Sequence, residues 1–136
     1  MAKAEPFSVR LTTATDKAVE VEARRVKRSK SQIVESLAEE AMRTRRFPGI
    51  AFRGEDAGRR PWLIGTGLDI WEVCQMLGEY GSSEELVEHT QLTERQVQLA
   101  RAYAAEYADE IGEAIAENMR PVEEWRQLYP FVQFVG

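Results

Sequence analysis

The side chains most able to make and break bonds are scarce in this chain. His89 and Cys74 are its single histidine and single cysteine. No acid stands at a telling spacing from either, so neither reads as half of a nucleophile–base pair. No group of His, Cys, Asp and Glu has metal-ligand spacing. Gly65-Thr66-Gly67 is too short for a phosphate-binding loop and lacks the Lys-Ser/Thr that follows one. Paired acids such as Asp109-Glu110 stand where a helix start favours them. The expectation is a chain without catalytic residues, metal or cofactor. A different chemistry is available in PFSVRLT, residues 6–12. There Ser8 and Arg10 alternate with Phe7, Val9 and Leu11, as along a strand with one apolar and one polar face. A hydroxyl and a guanidinium side by side suit recognition through hydrogen bonds.

Such a strand needs a mate, and nothing in the next thirty or so residues reads as one. Residues 12–27 place Val19, Ala23 and Val26 at i, i+4, i+7, one stripe of a helix. Val19, Val21 and Ala23 also alternate, which leaves a strand open, but the segment's length and its Ala, Glu, Arg and Lys content favour helix. Thr12 or Thr13 would cap it. Ser29-Lys30-Ser31-Gln32 is a capping box that starts a second helix running to about Arg45. Its apolar face is Ile33, Val34, Leu37, Ala38 and Ala41. Two helices within 46 residues cannot bury that face, so this module is expected to dimerise.

The net charge of -5 hides an asymmetry: residues 1–46 carry 11 Lys/Arg against 7 Asp/Glu, and residues 47–136 carry 7 against 16. A basic module that meets an anion, followed by an acidic one, is the implied division. No run of about 18 apolar residues is present to span a membrane. The N-terminal MAKAEPFSVR lacks the apolar stretch of a secretory signal, and one cysteine suits a reducing compartment, so a cytoplasmic location is expected.

The order strand, helix, basic turn, helix resembles the ribbon–helix–helix family of MetJ/Arc/CopG-like DNA-binding repressors over residues 5–46. The residues that carry the resemblance are FSVRL and, beyond the first helix, Ser29-Lys30-Ser31. The resemblance implies that the lone strand pairs antiparallel with its twin in a second subunit, and that the ribbon enters the major groove of operator DNA. Ser8 and Arg10 would face base edges, Arg10 able to hold guanine O6 and N7 together. Thr12 would touch base or phosphate, or serve only as helix cap. The helix start at Ser29, Lys30 and Ser31 would meet a phosphate, with Arg28 adding charge. The family usually has Gly near position 27, at a left-handed turn, where this chain has Lys27. A structural hairpin that dimerises without binding DNA is the alternative.

Beyond Pro48-Gly49, residues 50–53 and 62–64 read as two short strands. Helix starts follow at Asp69 with Glu72, Ser82 with Glu85, Thr93 with Gln96, and near Asp109. The last of these helices would carry Ile111, Ile115 and Met119 and end at Pro121. Residues 47–118 resemble the family known as domain of unknown function 433, through the Gly65-Thr66 turn, Trp71-Glu72-Val73, Leu92-Thr93 with Gln96-Val97, and the Tyr-rich helix. The resemblance implies a small winged helix-turn-helix fold and association with antitoxins, often beside PIN-like ribonuclease toxins. Residues 82–107 do read as two capped helices around a turn, but Glu84, Glu85, Glu88, Glu94 and Glu106 outweigh Arg95 and Arg101, which favours a protein-binding or dimerising role over DNA contact. Trp125, Tyr129, Phe131 and Phe134 are candidates for a partner contact, since Trp and Tyr dominate interface hot spots; folding back on the chain's own core is the other reading.

The expected fold is mainly α: a dimeric ribbon-helix-helix at 1–46, a helix-turn-helix-like domain with a short β-hairpin at 47–120, and an aromatic segment at 121–136. The function expected is that of a non-enzymatic antitoxin: a dimer that binds its operator and neutralises a cognate toxin, a PIN-like ribonuclease, by direct binding. A ribbon–helix–helix regulator without a toxin partner is the alternative.

Overall fold

The computed structural model describes residues 3–119 together with 124, 127 and 128. The chain separates into two compact units, Met1–Arg45 and Arg46–Gly136. Among the described residues the architecture is mainly helical, six α-helices and one two-stranded antiparallel sheet. No helix among them is long and apolar enough to cross a membrane.

In the first unit, residues 3–12 belong to no helix or strand. Thr12 then caps α1 (Thr13–Val26), its hydroxyl accepting from the Thr15 amide at 3.3 Å. Asp16 lies in the first turn and Arg24 and Arg25 in the last, each sign opposite to the end of the helix dipole beside it. Lys27 ends the helix at φ 58°, ψ 45°, the only non-glycine among the described residues in the left-handed region. The Lys27 and Arg28 amides both donate to the Ala23 carbonyl. The left-handed turn expected of a glycine is thus made here by a lysine, at a cost of about 1 kcal/mol. Helix α2 (Lys30–Arg46) opens with the capping box read from the sequence: the Gln32 amide donates to Ser29 Oγ (3.1 Å) and the Ser29 amide to Gln32 Oε1 (3.0 Å).

The core of this unit is small. Val19, Ala23 and Ile33 are buried, with Leu11, Val26 and Val34 packed against them. The apolar face of α2 is covered only at its N-terminal end, for Leu37 and Met42 are each 54% exposed.

The second unit opens with the hairpin of β1 (Ile50–Arg53) and β2 (Arg60–Leu63), in register Ile50↔Leu63 through Arg53↔Arg60. The second strand lies two residues earlier at its start than the expected 62–64, and exposed Ile64 falls outside it. Arg60 and Pro61 belong to it because, in a sheet of two, each strand has a free edge where a residue without an N–H is tolerated. Gly54 (φ +107°) makes the turn: a Cβ there would stand 2.3 Å from the Gly58 carbonyl oxygen.

Four helices follow, α3 (Ile70–Tyr80), α4 (Ser83–His89), α5 (Glu94–Glu106) and α6 (Ala108–Asn118). Asp69 with Glu72 and Thr93 with Gln96 form reciprocal capping boxes, and Ser82 accepts from the Glu85 amide. Helix α3 packs against all three other helices and against β2. Ile50, Leu63, Ile70, Val73, Leu86, Val97, Ala100 and Tyr103 are sealed from water, the larger aliphatic ones each stabilising by about 1.5–3 kcal/mol. Phe47 meets Tyr103 edge-on at 5.2 Å. Met119 departs from expectation: at 64% exposure, one residue past the end of α6, it has left the apolar stripe that Ile111 and Ile115 follow.

Candidate functional site

The residues singled out for nucleic acid lie in the segment before α1 and around the start of α2. Ser8 and Arg10 are exposed, and so are Phe7 (86%) and Val9 (63%) on the alternate face. Leu11, half-buried, is where the segment meets the unit's own core. Lys3 forms an ion pair with Glu35 of α2. The Thr12 hydroxyl caps α1 and donates to Thr15 Oγ1 at 3.0 Å.

At the start of α2 four candidates come together, with different freedom. The Ser29 hydroxyl is engaged as the cap, while Ser31 is exposed in the first turn. Arg28 is half-buried and donates through Nη2 to Ser36 Oγ (3.2 Å), which draws its guanidinium along α2. Lys30 is exposed, but its ammonium lies 2.6 Å from Asp16 Oδ1 in the first turn of α1. The hydrogen bond that Lys30 donates to Asp16, then the charges of Asp16 and Glu20, hold the Lys30 pKa above its ordinary value. The first turn of α2 contains no acid of its own, so the positive end of its dipole and Lys30 are opposed there by Asp16 and Glu20 of α1.

In the second unit the hairpin and α3 converge on one buried carboxylate. Asp69 is 4% exposed. Its Oδ1 accepts from Arg53 Nε (2.9 Å) and Nη2 (2.7 Å), its Oδ2 from Arg60 Nε (2.6 Å) and Trp71 Nε1 (3.2 Å). It also caps α3 by accepting from the amide three residues on. The Arg53 guanidinium lies 4.8 Å from the ring centroid of Trp62, a cation–π contact. A buried charge is tolerable only when paired and hydrogen-bonded in this way. Sequence reasoning found the cap and missed the arginines. The strand expected at 62–64 left Arg60 outside it, whereas the observed register sets Arg53 opposite Arg60; two like charges facing each other across strands call for a shared acid.

The remaining candidates for chemistry separate. Cys74 is partly buried, and desolvation pushes its thiol pKa up, opposite to what an activated nucleophile needs. His89 is exposed, stacked on Tyr80 at 5.8 Å, and its Nδ1–H donates to the Glu85 carbonyl at 2.9 Å. Glu85, Glu88 and His89 can bring ligand atoms within 4.8 Å of one another, a closeness the sequence reading did not foresee. All three are exposed, as expected of residues on the outer face of a short helix. Trp125, Tyr129, Phe131 and Phe134 lie outside the described residues.

Comparison with protein-family models, with curated proteins and with solved structures found no match to this chain.

Proposed function

We propose that this chain is the antitoxin of a toxin–antitoxin pair, a cytoplasmic dimer that binds its operator through a ribbon–helix–helix module and holds a ribonuclease toxin through its second unit. The observation that carries the DNA-binding half is the exposed stretch 7–10, in no helix or strand among the described residues, in front of two helices joined at a left-handed turn. Its alternating Phe7 and Val9 stand in water in the single chain, together with Leu37 of α2. Pairing with a second copy would cover those side chains and leave Ser8 and Arg10 outward. Positive charge at the start of α2 supports a phosphate contact there.

For the second unit, the antitoxin reading rests on the motif resemblance, with a winged helix-turn-helix-like arrangement as its finer fold. The pairing of Arg53 and Arg60 with Asp69 supports a protein partner over nucleic acid, because it withdraws two hairpin cations from phosphate. So does the exposure of Glu84, Glu85 and Glu88 on α4 and of Asp109 and Glu113 on α6. A basic RNA-binding surface on the toxin is the complement such a face would steer towards.

The test of the first half is equilibrium binding to DNA from the chain's own promoter region. Arg10→Ala is expected to weaken binding by about 1–3 kcal/mol and to relax base preference; unchanged binding would refute the outward ribbon face. For the second half, co-expression with the product of the neighbouring gene is expected to yield a stable complex. A chain lacking residues 121–136 should lose it, and retention would move the interface elsewhere.

A further inference from the structure

The ammonium assigned to phosphate at the start of α2 already has an anion. Lys30 and Asp16 are 14 residues apart, on different helices, and meet at 2.6 Å with their side chains 48% and 42% exposed. Glu20 stands one turn after Asp16 on α1, on the same face, and its charge also acts on Lys30. Two α1 acids therefore address the one α2 cation proposed to hold register on DNA. The exposure of the pair leaves it open to an incoming phosphate.

We propose that Asp16 competes with the DNA backbone for Lys30, so that binding exchanges a carboxylate for a phosphate and Asp16 sets how tightly any duplex is held. The inference rests on the DNA-binding reading above and deepens it. An ammonium has three N–H donors and can bridge two anions. In that arrangement the carboxylate and the phosphate lie within roughly 6 Å and repel. Whether the pair opens or is bridged, Asp16 opposes binding. The opposition is independent of base sequence, because phosphate contacts carry none. It would lower affinity for non-specific DNA and for the operator alike, leaving discrimination to Ser8 and Arg10.

The experiment is a double-mutant cycle on the full chain, read as fluorescence anisotropy of a labelled duplex of scrambled sequence across a salt series. Asp16→Asn is expected to tighten binding by about threefold to tenfold at low salt, the range open to an exposed ion pair present once per subunit. Lys30→Ala should weaken binding, and Asp16→Asn added to it should recover little. Glu20→Gln should give a smaller gain than Asp16→Asn. Circular dichroism checks that each variant keeps its helices.

Weaker binding by Asp16→Asn would overturn the proposal, since Asp16 would then be aiming Lys30 at the phosphate. An equal gain with and without Lys30 would also overturn it, pointing to the general field of a removed charge. Failure of the underlying reading looks different: Arg10→Ala would leave operator binding unchanged, or the wild-type chain would bind no duplex at any salt concentration, which removes the exchange with it.

Discussion

Arg53 grips Asp69 with two nitrogens, Nε at 2.9 Å and Nη2 at 2.7 Å, from the end of β1 to the residue that caps α3. This contact ties the hairpin to the central helix of the second unit. Arg60 on the opposing strand takes the other carboxylate oxygen, so one buried charge fixes both strands. Arg53 is about one-third exposed and Arg60 about half, which lets their remaining N–H groups reach water.

Asp69→Ala removes the acceptor for both arginines, for Trp71 Nε1 and for the cap. A fully buried pair broken this way costs about 3–5 kcal/mol, and exposure of the arginines reduces the figure. The expected loss is about 3 kcal/mol in urea denaturation followed by tryptophan fluorescence. Asp69→Asn keeps an oxygen for the cap and should cost about half as much. Equal losses from the two variants would mean that the cap contributes nothing and the charge everything.

Lys27→Gly should stabilise the first unit. The left-handed conformation strains a residue with a Cβ by about 1 kcal/mol, offset in part by the larger backbone entropy of glycine when unfolded. A gain of about 0.5 kcal/mol and a rise of a few degrees in the midpoint are expected. Lys27→Val, branched at Cβ, should lower the midpoint instead. Calorimetry on the full chain reads both.

Helix starts were the most legible part of the fold, because caps are written in residues three apart. Ser29 with Gln32, Asp69 with Glu72, and Thr93 with Gln96 each predict a start that forms. Interior stripes were legible too: Val19 and Ala23 lie on the expected stripe of α1 and are buried. What connects distant positions was not. Asp69 meets arginines 16 and 9 residues away, and Lys30 meets Asp16 across a turn; neither pairing has a local spacing. Lys27 was legible only as a departure from glycine, and the backbone took the strained turn regardless because both helices demand it. Thr12 could not be settled from sequence, since the same hydroxyl serves a cap or a groove contact; in the chain alone it accepts from the Thr15 amide.

Burial of Cys74 has a consequence at alkaline pH. Its thiol pKa is raised above the ordinary value of 9.0 by desolvation, so the folded chain keeps a proton that the unfolded chain loses. The neutral thiol's contribution is complete below the unfolded pKa and is lost as pH rises towards the folded one. Between about pH 8 and pH 10, stability should fall more steeply for the wild-type chain than for Cys74→Ala. Parallel slopes would show that burial exerts no such hold. Alkylation by iodoacetamide should likewise be slow in the native chain at neutral pH and become fast in denaturant.

Leu37 tests the pairing of two chains without reference to DNA. It lies one turn beyond buried Ile33 on α2 and is 54% exposed, continuing an apolar stripe past the point where the unit's own core ends. In a ribbon–helix–helix dimer that stripe would meet its twin, and a carboxylate there would be buried twice without a partner, at a cost of several kcal/mol. Leu37→Glu is therefore expected to weaken self-association by about a hundredfold or more, measured by sedimentation equilibrium. Its helical circular dichroism should stay close to wild type at concentrations where the monomer is folded. DNA binding should fall with dimerisation, because a single strand makes no ribbon. Leu37→Met, of similar volume, should leave the dimer intact. A Leu37→Glu chain that still dimerises would place the subunit contact elsewhere.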